Sequence, residues 1–168
     1  SNKSSDEVVN ALVETVTSNY GLVARQYRLK KALLGHDELF DYDRYAPLNL
    51  KENEDFYTWD EAKSVVLKAF ANFDTEMKDA AELFFDNNWI HAPVAHGKRG
   101  GAFAAQTVAS ANPFVFLNYM GDARNITTLA HELGHGIHMY LSGKKSGALA
   151  LYTPLTTAEM ASTFAEML

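Results

Sequence analysis

The sequence predicts a mainly α protein that carries one small β element. Three observations predict it. Apolar residues recur at helical spacing through much of residues 1–90. One short stretch, Phe114-Val-Phe-Leu-Asn-Tyr119 behind Pro113, is β-rich. Helical periodicity then returns from about Ile126 to the end of the chain.

Val9, Leu12, Val13, Val16 and Tyr20 form the first stripe, and Asn19-Tyr20-Gly21 is a candidate break. Leu22 to Leu34 resumes the helix and Gly35 caps it. Residues 36–57, rich in Asp and Tyr and holding Pro47, read as an irregular connection. Thr58-x-x-Glu61 is a capping box. It opens a helix with Ala62, Val65, Val66, Ala69, Phe70 and Phe73 on one face. Asp74 can cap the next helix, whose Met77, Ala80, Ala81 and Phe84 point inward. All of these stripes are expected to be core packing.

The pattern changes after Trp89, dividing a helical segment, 1–90, from a second segment, 91–168. Gly97-Lys-Arg-Gly-Gly101 is turn-rich, and residues 101–119 read as a small hairpin or two short strands. Gly121 to Asn125 is a turn. A helix over about 126–142 is ended by Gly143, residues 144–147 form a loop, and the last helix starts at about Thr156.

The 168 residues are one domain's worth, 47% hydrophobic and 21% charged, which excludes disordered and low-complexity classes. Cysteine is absent, so disulfides, thiol catalysis and Cys-ligated metals are excluded and any metal must use His and carboxylates. That absence suits a reducing cytosol. The net charge is −6 and the 15 Lys and Arg are scattered, which argues against a nucleic-acid partner. The longest apolar run, Ala148 to Tyr152, is far short of the roughly 20 residues that a membrane helix needs. There is no initiator Met, and Leu168 falls inside a helical pattern without a cap, so a piece of a longer protein is expected. Self-association through a surface normally covered is a further expectation.

His131-Glu132-Leu133-Gly134-His135 is an H-E-x-x-H pattern. Two His four apart on a helix share a face, with Cβ atoms about 5–6 Å apart, and can converge on one Zn²⁺. Ile126, Leu129, Ala130, Leu133, Ile137, Tyr140 and Leu141 fall on one side of that helix, and His131, His135 and His138 on the other. In this pattern Glu132 does not bind metal. It takes a proton from a water that the metal activates and passes it to the leaving amine. A catalytic zinc wants a third protein ligand. A metzincin would have Gly at 138 and His at 141, but His138 and Leu141 stand there and no His follows. The third ligand is therefore a carboxylate, Glu159 or Glu166. Thr156-x-x-Glu159 also fits a capping box, so Glu159 has a rival role as a helix cap. Glu166, two turns further along the same face, can instead hydrogen-bond a liganding His. His138 is either such a supporting residue or an ordinary polar helix residue. His91 and His96 are not expected to be ligands.

His131 to His138, with Thr153-Pro-Leu-Thr-Thr-Ala-Glu-Met-Ala-Ser-Thr-Phe-Ala-Glu166 after it, resembles the oligoendopeptidase F group of the thimet oligopeptidase family of zinc metallopeptidases. Three upstream stretches carry the same resemblance: Leu34-Gly-His-Asp-Glu-Leu39, Tyr42-Asp-Arg-Tyr-Ala-Pro-Leu48 and Gly97-Lys-Arg-Gly-Gly-Ala102. It implies a helical zincin-like catalytic core with a small hairpin or sheet beside the cleft. It implies zinc on His131, His135 and Glu159, with Glu132 as general base. It also implies an extended oligopeptide substrate lying along Gly101, Ala102, Phe103 and Ala104 by β-augmentation, and a cytoplasmic location. Family members are several times longer, and the segment after the Glu-bearing helix supplies oxyanion donors. This chain alone is therefore expected to be a poor peptidase, since one lost donor typically costs about 10²–10³ in rate. The alternatives are a non-catalytic zinc-binding helical module and a helical interaction domain with a chance motif.

Overall fold

The computed structural model describes residues 3–48 and 56–168, and these two stretches form two compact units. The composition change after Trp89 falls inside the second unit rather than between the two. Residues 49–55 of the predicted connection lie outside the described residues.

In the first unit, α1 (Asp6–Ser18) and α2 (Tyr20–Leu34) are separated at Asn19, at the predicted break. Gly35 closes α2 in the left-handed region, with φ 69°, a conformation that glycine adopts without a Cβ penalty. A 3₁₀ turn over Asp41–Tyr45 lies in the predicted irregular connection. The expectation that the first stripe is core packing fails. No residue of α1 or α2 is buried, and Val9, Leu12, Val13 and Val16 are all about half exposed or more. The physical reason is geometric: α1 touches α2 only lightly, and a helix pair cannot cover two apolar stripes by itself.

In the second unit, α3 (Trp59–Phe73) opens on the predicted capping box. Thr58 N donates to Glu61 Oε2 at 2.8 Å and Glu61 N to Thr58 Oγ1 at 3.3 Å. Asp74 caps α4 (Thr75–Asp86) by accepting from the amides of Glu76 and Met77. Here the stripes are core: Ala62, Val66, Phe70, Ala80, Ala81 and Phe84 are buried. Val65 and Phe73, at the margins of the α3 stripe, remain exposed.

The β element is a three-stranded sheet in the order β1-β3-β2. The predicted pair is present as β2 (Phe103–Ala105) and β3 (Phe114–Phe116), antiparallel, with Ala104 opposite Val115. The strand β1 (Ile90–His91), parallel to β3, was not expected. Two residues carry no alternation, and only the distant partner defines them as a strand. Val115 and Leu117 fill the space between sheet and helices.

The helix α5 runs from Ala123 to Ser146, longer at both ends than predicted. Asp122 caps it, accepting from Asn125 N at 2.7 Å. Gly143 does not end it. That glycine is buried within the helix, where a Cβ would come 3.3 Å from Leu151 Cδ1 and 3.5 Å from Gln106 Nε2. Lys144 and Lys145 belong to the last turn, where cations complement the helix dipole. The helix α6 (Leu155–Met167) follows, starting from Pro154 rather than Thr156.

The helices α5 and α6 share the most extensive contact between elements of this unit, and they cross closely at Gly134. A Cβ on Gly134 would lie 2.7 Å from the Ala161 carbonyl oxygen, 2.7 Å from Ala165 Cβ and 2.8 Å from Ser162 Cα. On the other side of α5, a Cβ on Gly136 would enter the Phe84 ring at 2.6 Å. Gly134→Ala therefore forces α6 outward. It should lose about 1–3 kcal/mol despite the better helix propensity of alanine, lowering the thermal midpoint by several degrees. Gly21→Ala, with nothing within 4 Å of its Cβ, should melt at or above the wild-type temperature. Circular-dichroism melts of the two variants check the contrast.

Candidate metal centre

On α5 the H-E-x-x-H spacing brings the rings of His131 and His135 edge to face, with centroids 4.9 Å apart. Leu129, Ala130, Leu133 and Ile137 on the opposite side are buried, as the helical arithmetic requires. The helix is more enclosed than a two-faced reading implies, because Glu132, Gly134 and Gly136 are buried as well.

Crossing at Gly134, α6 presents Glu159 to both imidazoles. His131 Nε2 and His135 Nε2 each lie 3.6 Å from the same oxygen, Glu159 Oε2. The rival capping role for Glu159 is not realised: Pro154 occupies the N-cap and Thr156 is already within the helix. Glu159 and Glu166 take different positions around the His131 ring. Glu159 faces the Nε2 atoms, while Glu166 Oε2 lies 3.0 Å from His131 Nδ1 on the far side of the ring. A carboxylate at Nδ1 orients the ring and favours the tautomer whose Nε2 lone pair is free to bind a metal.

The donor atoms of His131, His135 and Glu159 lie within 4.8 Å of one another. Ligands about 2.0–2.1 Å from a tetrahedral zinc stand about 3.3 Å apart, so modest side-chain adjustment closes this group on an ion. Two imidazole nitrogens and one carboxylate oxygen suit zinc, whereas calcium and magnesium prefer all-oxygen sites. The residues fit the metal that their spacing suggested.

Glu132 occupies a different environment. It is buried, and its Oε2 has no hydrogen-bond partner among the described residues. Burial pushes its carboxyl up to about 7; His131 opposes that shift and the Glu159 charge adds to it. Burial also lowers the His135 imidazole, with Glu159 acting in the opposite sense. His138 is lowered by burial too. It makes no hydrogen bond to the cluster among the described residues and instead lines a small cavity with Phe73, Met77 and Phe164.

Sequence reasoning passed over Ser162. Its side chain is fully buried, and its hydroxyl lies 3.0 Å from Glu159 Oε2 and 3.1 Å from the Glu159 carbonyl oxygen. The i, i+3 spacing on a helix was the available signal. The residues expected to meet an extended peptide sit at the sheet's edge. Gly101 turns with φ 86°, Ala102 is half-buried, and Phe103 and Ala104 lie in β2, which pairs only with β3 among the described residues. Phe103 stacks on Phe116 with centroids 4.9 Å apart. Both β2 and β3 pack on α5, the helix that carries the two histidines.

No helix among the described residues is long and apolar enough to cross a membrane. Comparison with known proteins gives a consistent result. The chain is 32% identical over 163 residues to oligopeptidase PepF of Bacillus subtilis, covering 97% of this chain and 24% of that protein. It is 31% identical over 158 residues to group B oligopeptidase PepB of Streptococcus agalactiae, covering 94% of this chain and 26% of that one. A solved peptidase structure from Chlamydophila abortus superposes with a TM-score of 0.74 at 30% identity, covering 99% of this chain and 27% of that chain. The chain thus spans about a quarter of the length of the curated relatives it matches. The profile of Peptidase family M3 matches residues 1–168 in full, and the chain belongs to that family.

Proposed function

We propose that this chain holds the catalytic zinc site of a metalloendopeptidase that hydrolyses short oligopeptides. The observation that carries the reading is the convergence of two imidazole Nε2 atoms on one carboxylate oxygen, with a second carboxylate behind His131. In this reading His131, His135 and Glu159 are the ligands. Glu166 and the Ser162 hydroxyl hold two of them in place, and His138 belongs to the surrounding helix face. The cofactor is Zn²⁺, the substrate an oligopeptide and the compartment the cytoplasm.

Bound there, zinc supplies Lewis acidity, which acidifies a water and polarises a peptide carbonyl. Glu132 then does the proton work. Its carboxyl, which burial disposes to take up a proton, receives the proton released as water attacks, and returns it to the departing nitrogen. Residues 101–104 hold the peptide by backbone hydrogen bonds along β2, which tolerates many sequences because the contacts are to the main chain.

Elemental analysis after dialysis against a weak chelator tests the ligand set. Near one zinc per chain is expected, with clear loss in Glu159→Ala. No zinc in either protein would overturn the reading. Glu166→Gln should retain the site but bind zinc about 10–100-fold more weakly, as measured by competition with a chromophoric chelator. Glu132→Gln should keep zinc at the wild-type level and abolish cleavage of a fluorogenic oligopeptide by the protein in the length of its relatives. Zinc binding without cleavage in the wild type at that length would instead favour a non-catalytic module.

A further inference from the structure

Lys98 lies in the turn between β1 and β2, and its ammonium is wholly committed to backbone. Nζ donates to the carbonyl oxygens of Leu117 at 2.6 Å, Pro93 at 2.7 Å and His91 at 3.2 Å. A lysine ammonium has three N–H donors and no more. His91 ends β1 and Leu117 follows β3, so the three acceptors gather at the exit of the parallel pair. There Leu117 N also donates to His91 O. The ammonium sits 4.5 Å from the centre of the Phe116 ring, which Phe103 of β2 stacks against and which His91 meets edge-on. One residue further along, Asn118 Nδ2 donates to the Arg99 carbonyl at 2.9 Å. The turn is therefore clipped twice to the end of β3, immediately before Gly101 bends into β2.

We propose that Lys98 is a positioning residue. It locks the 97–101 turn to the sheet and so holds the free edge of β2 in register for a bound peptide. This rests on the proposed peptide seat at residues 101–104. It assigns Lys98 a role unlike that of a surface cation. With every donor engaged by carbonyls, the ammonium does not bind the substrate's carboxylate or side chains. It acts through the backbone of the strand that follows. Converging carbonyl dipoles need a cation with donors in several directions, which explains a lysine where a neutral residue would leave three acceptors facing one another.

The test uses Lys98→Met, which keeps the length of the stem, alongside Lys98→Arg and Asn118→Ala. Hydrogen exchange of the peptide covering residues 97–106 should accelerate at least tenfold in Lys98→Met, with exchange in α5 unchanged. Lys98→Arg should restore most of the protection and Asn118→Ala should lose part of it. In the Glu132→Gln background, fluorescence anisotropy should show a labelled oligopeptide binding several-fold more weakly with Lys98→Met. The loss should be equal for free and amidated peptide C-termini. Unchanged exchange would overturn the clip. Faster exchange with unchanged peptide affinity would overturn the positioning role while leaving the metalloendopeptidase reading intact. A loss confined to peptides with a free C-terminus would overturn it in favour of direct charge recognition. Absence of peptide binding in the Glu132→Gln background, with or without Lys98→Met, would count against the proposed function itself, and the exchange data would still decide whether Lys98 clips the turn.

Discussion

The whole site depends on how closely two helices approach. His131 and His135 are four residues apart on α5 and would face one another on any helix. Glu159 reaches their Nε2 atoms only because α6 crosses α5 at Gly134, where the space for a side chain is taken by the Ala161 carbonyl and the Ala165 methyl. The small residues on both helices, Gly134 on one and Ala161, Ser162 and Ala165 on the other, set that distance. Gly136 lets Phe84 of α4 press on the opposite side of α5. Apolar packing from behind thus brings His131, His135 and Glu159 together, and Glu166 and Ser162 add contacts to His131 and Glu159.

The same enclosure sets the electrostatics. Three carboxylates gather near two imidazoles, and each has a different surrounding. Glu166 is half exposed and tied to His131 Nδ1. Glu159 is half exposed, with the Ser162 hydroxyl on its oxygen. Glu132 is buried, and one of its oxygens has no partner among the described residues. Burial disfavours the charged form of a carboxyl unless hydrogen bonds or opposite charges compensate. Burial therefore raises the proton affinity of Glu132, which sits on the same helix as the two imidazoles. A helix that carries ligands and an acid side by side can separate their roles in this way, because neighbouring residues point in directions about 100° apart.

The sheet shows how backbone groups become structural ligands in their own right. Its strands are two or three residues long, too short to hold a turn by ladder hydrogen bonds alone. Side chains make up the difference. Lys98 donates to the Leu117 carbonyl at the end of β3, Asn118 donates to the Arg99 carbonyl in the turn before β2, and Asn125 accepts from the Gly121 amide at 3.0 Å in the turn before α5. The Phe103–Phe116 stack ties β2 to its neighbour across the register that the ladder defines.

Local pattern was enough for local structure. The capping box at Thr58, the cap at Asp74, the terminating Gly35 and the helical face bearing His131 and His135 were all legible, because each depends on residues within one or two turns of one another. The donor types were legible as well, since a chain without cysteine leaves only imidazoles and carboxylates for zinc. Wherever a distant partner decides the outcome, the pattern was silent or misleading. The stripe in α1 reads as core, but periodicity cannot say whether another element covers it. Gly143 reads as a helix end, but it is a contact point for Leu151 and Gln106 within a longer helix. The strand β1 exists only through β3, and the different positions of Glu159 and Glu166 around His131 exist only through the crossing at Gly134. Sequence alone determined which residues could do the chemistry and which helix faces they occupy, because propensity, capping and periodicity are short-range. Tertiary structure decided which carboxylate meets which nitrogen and which carboxyl is buried, because those follow from how closely separate elements pack.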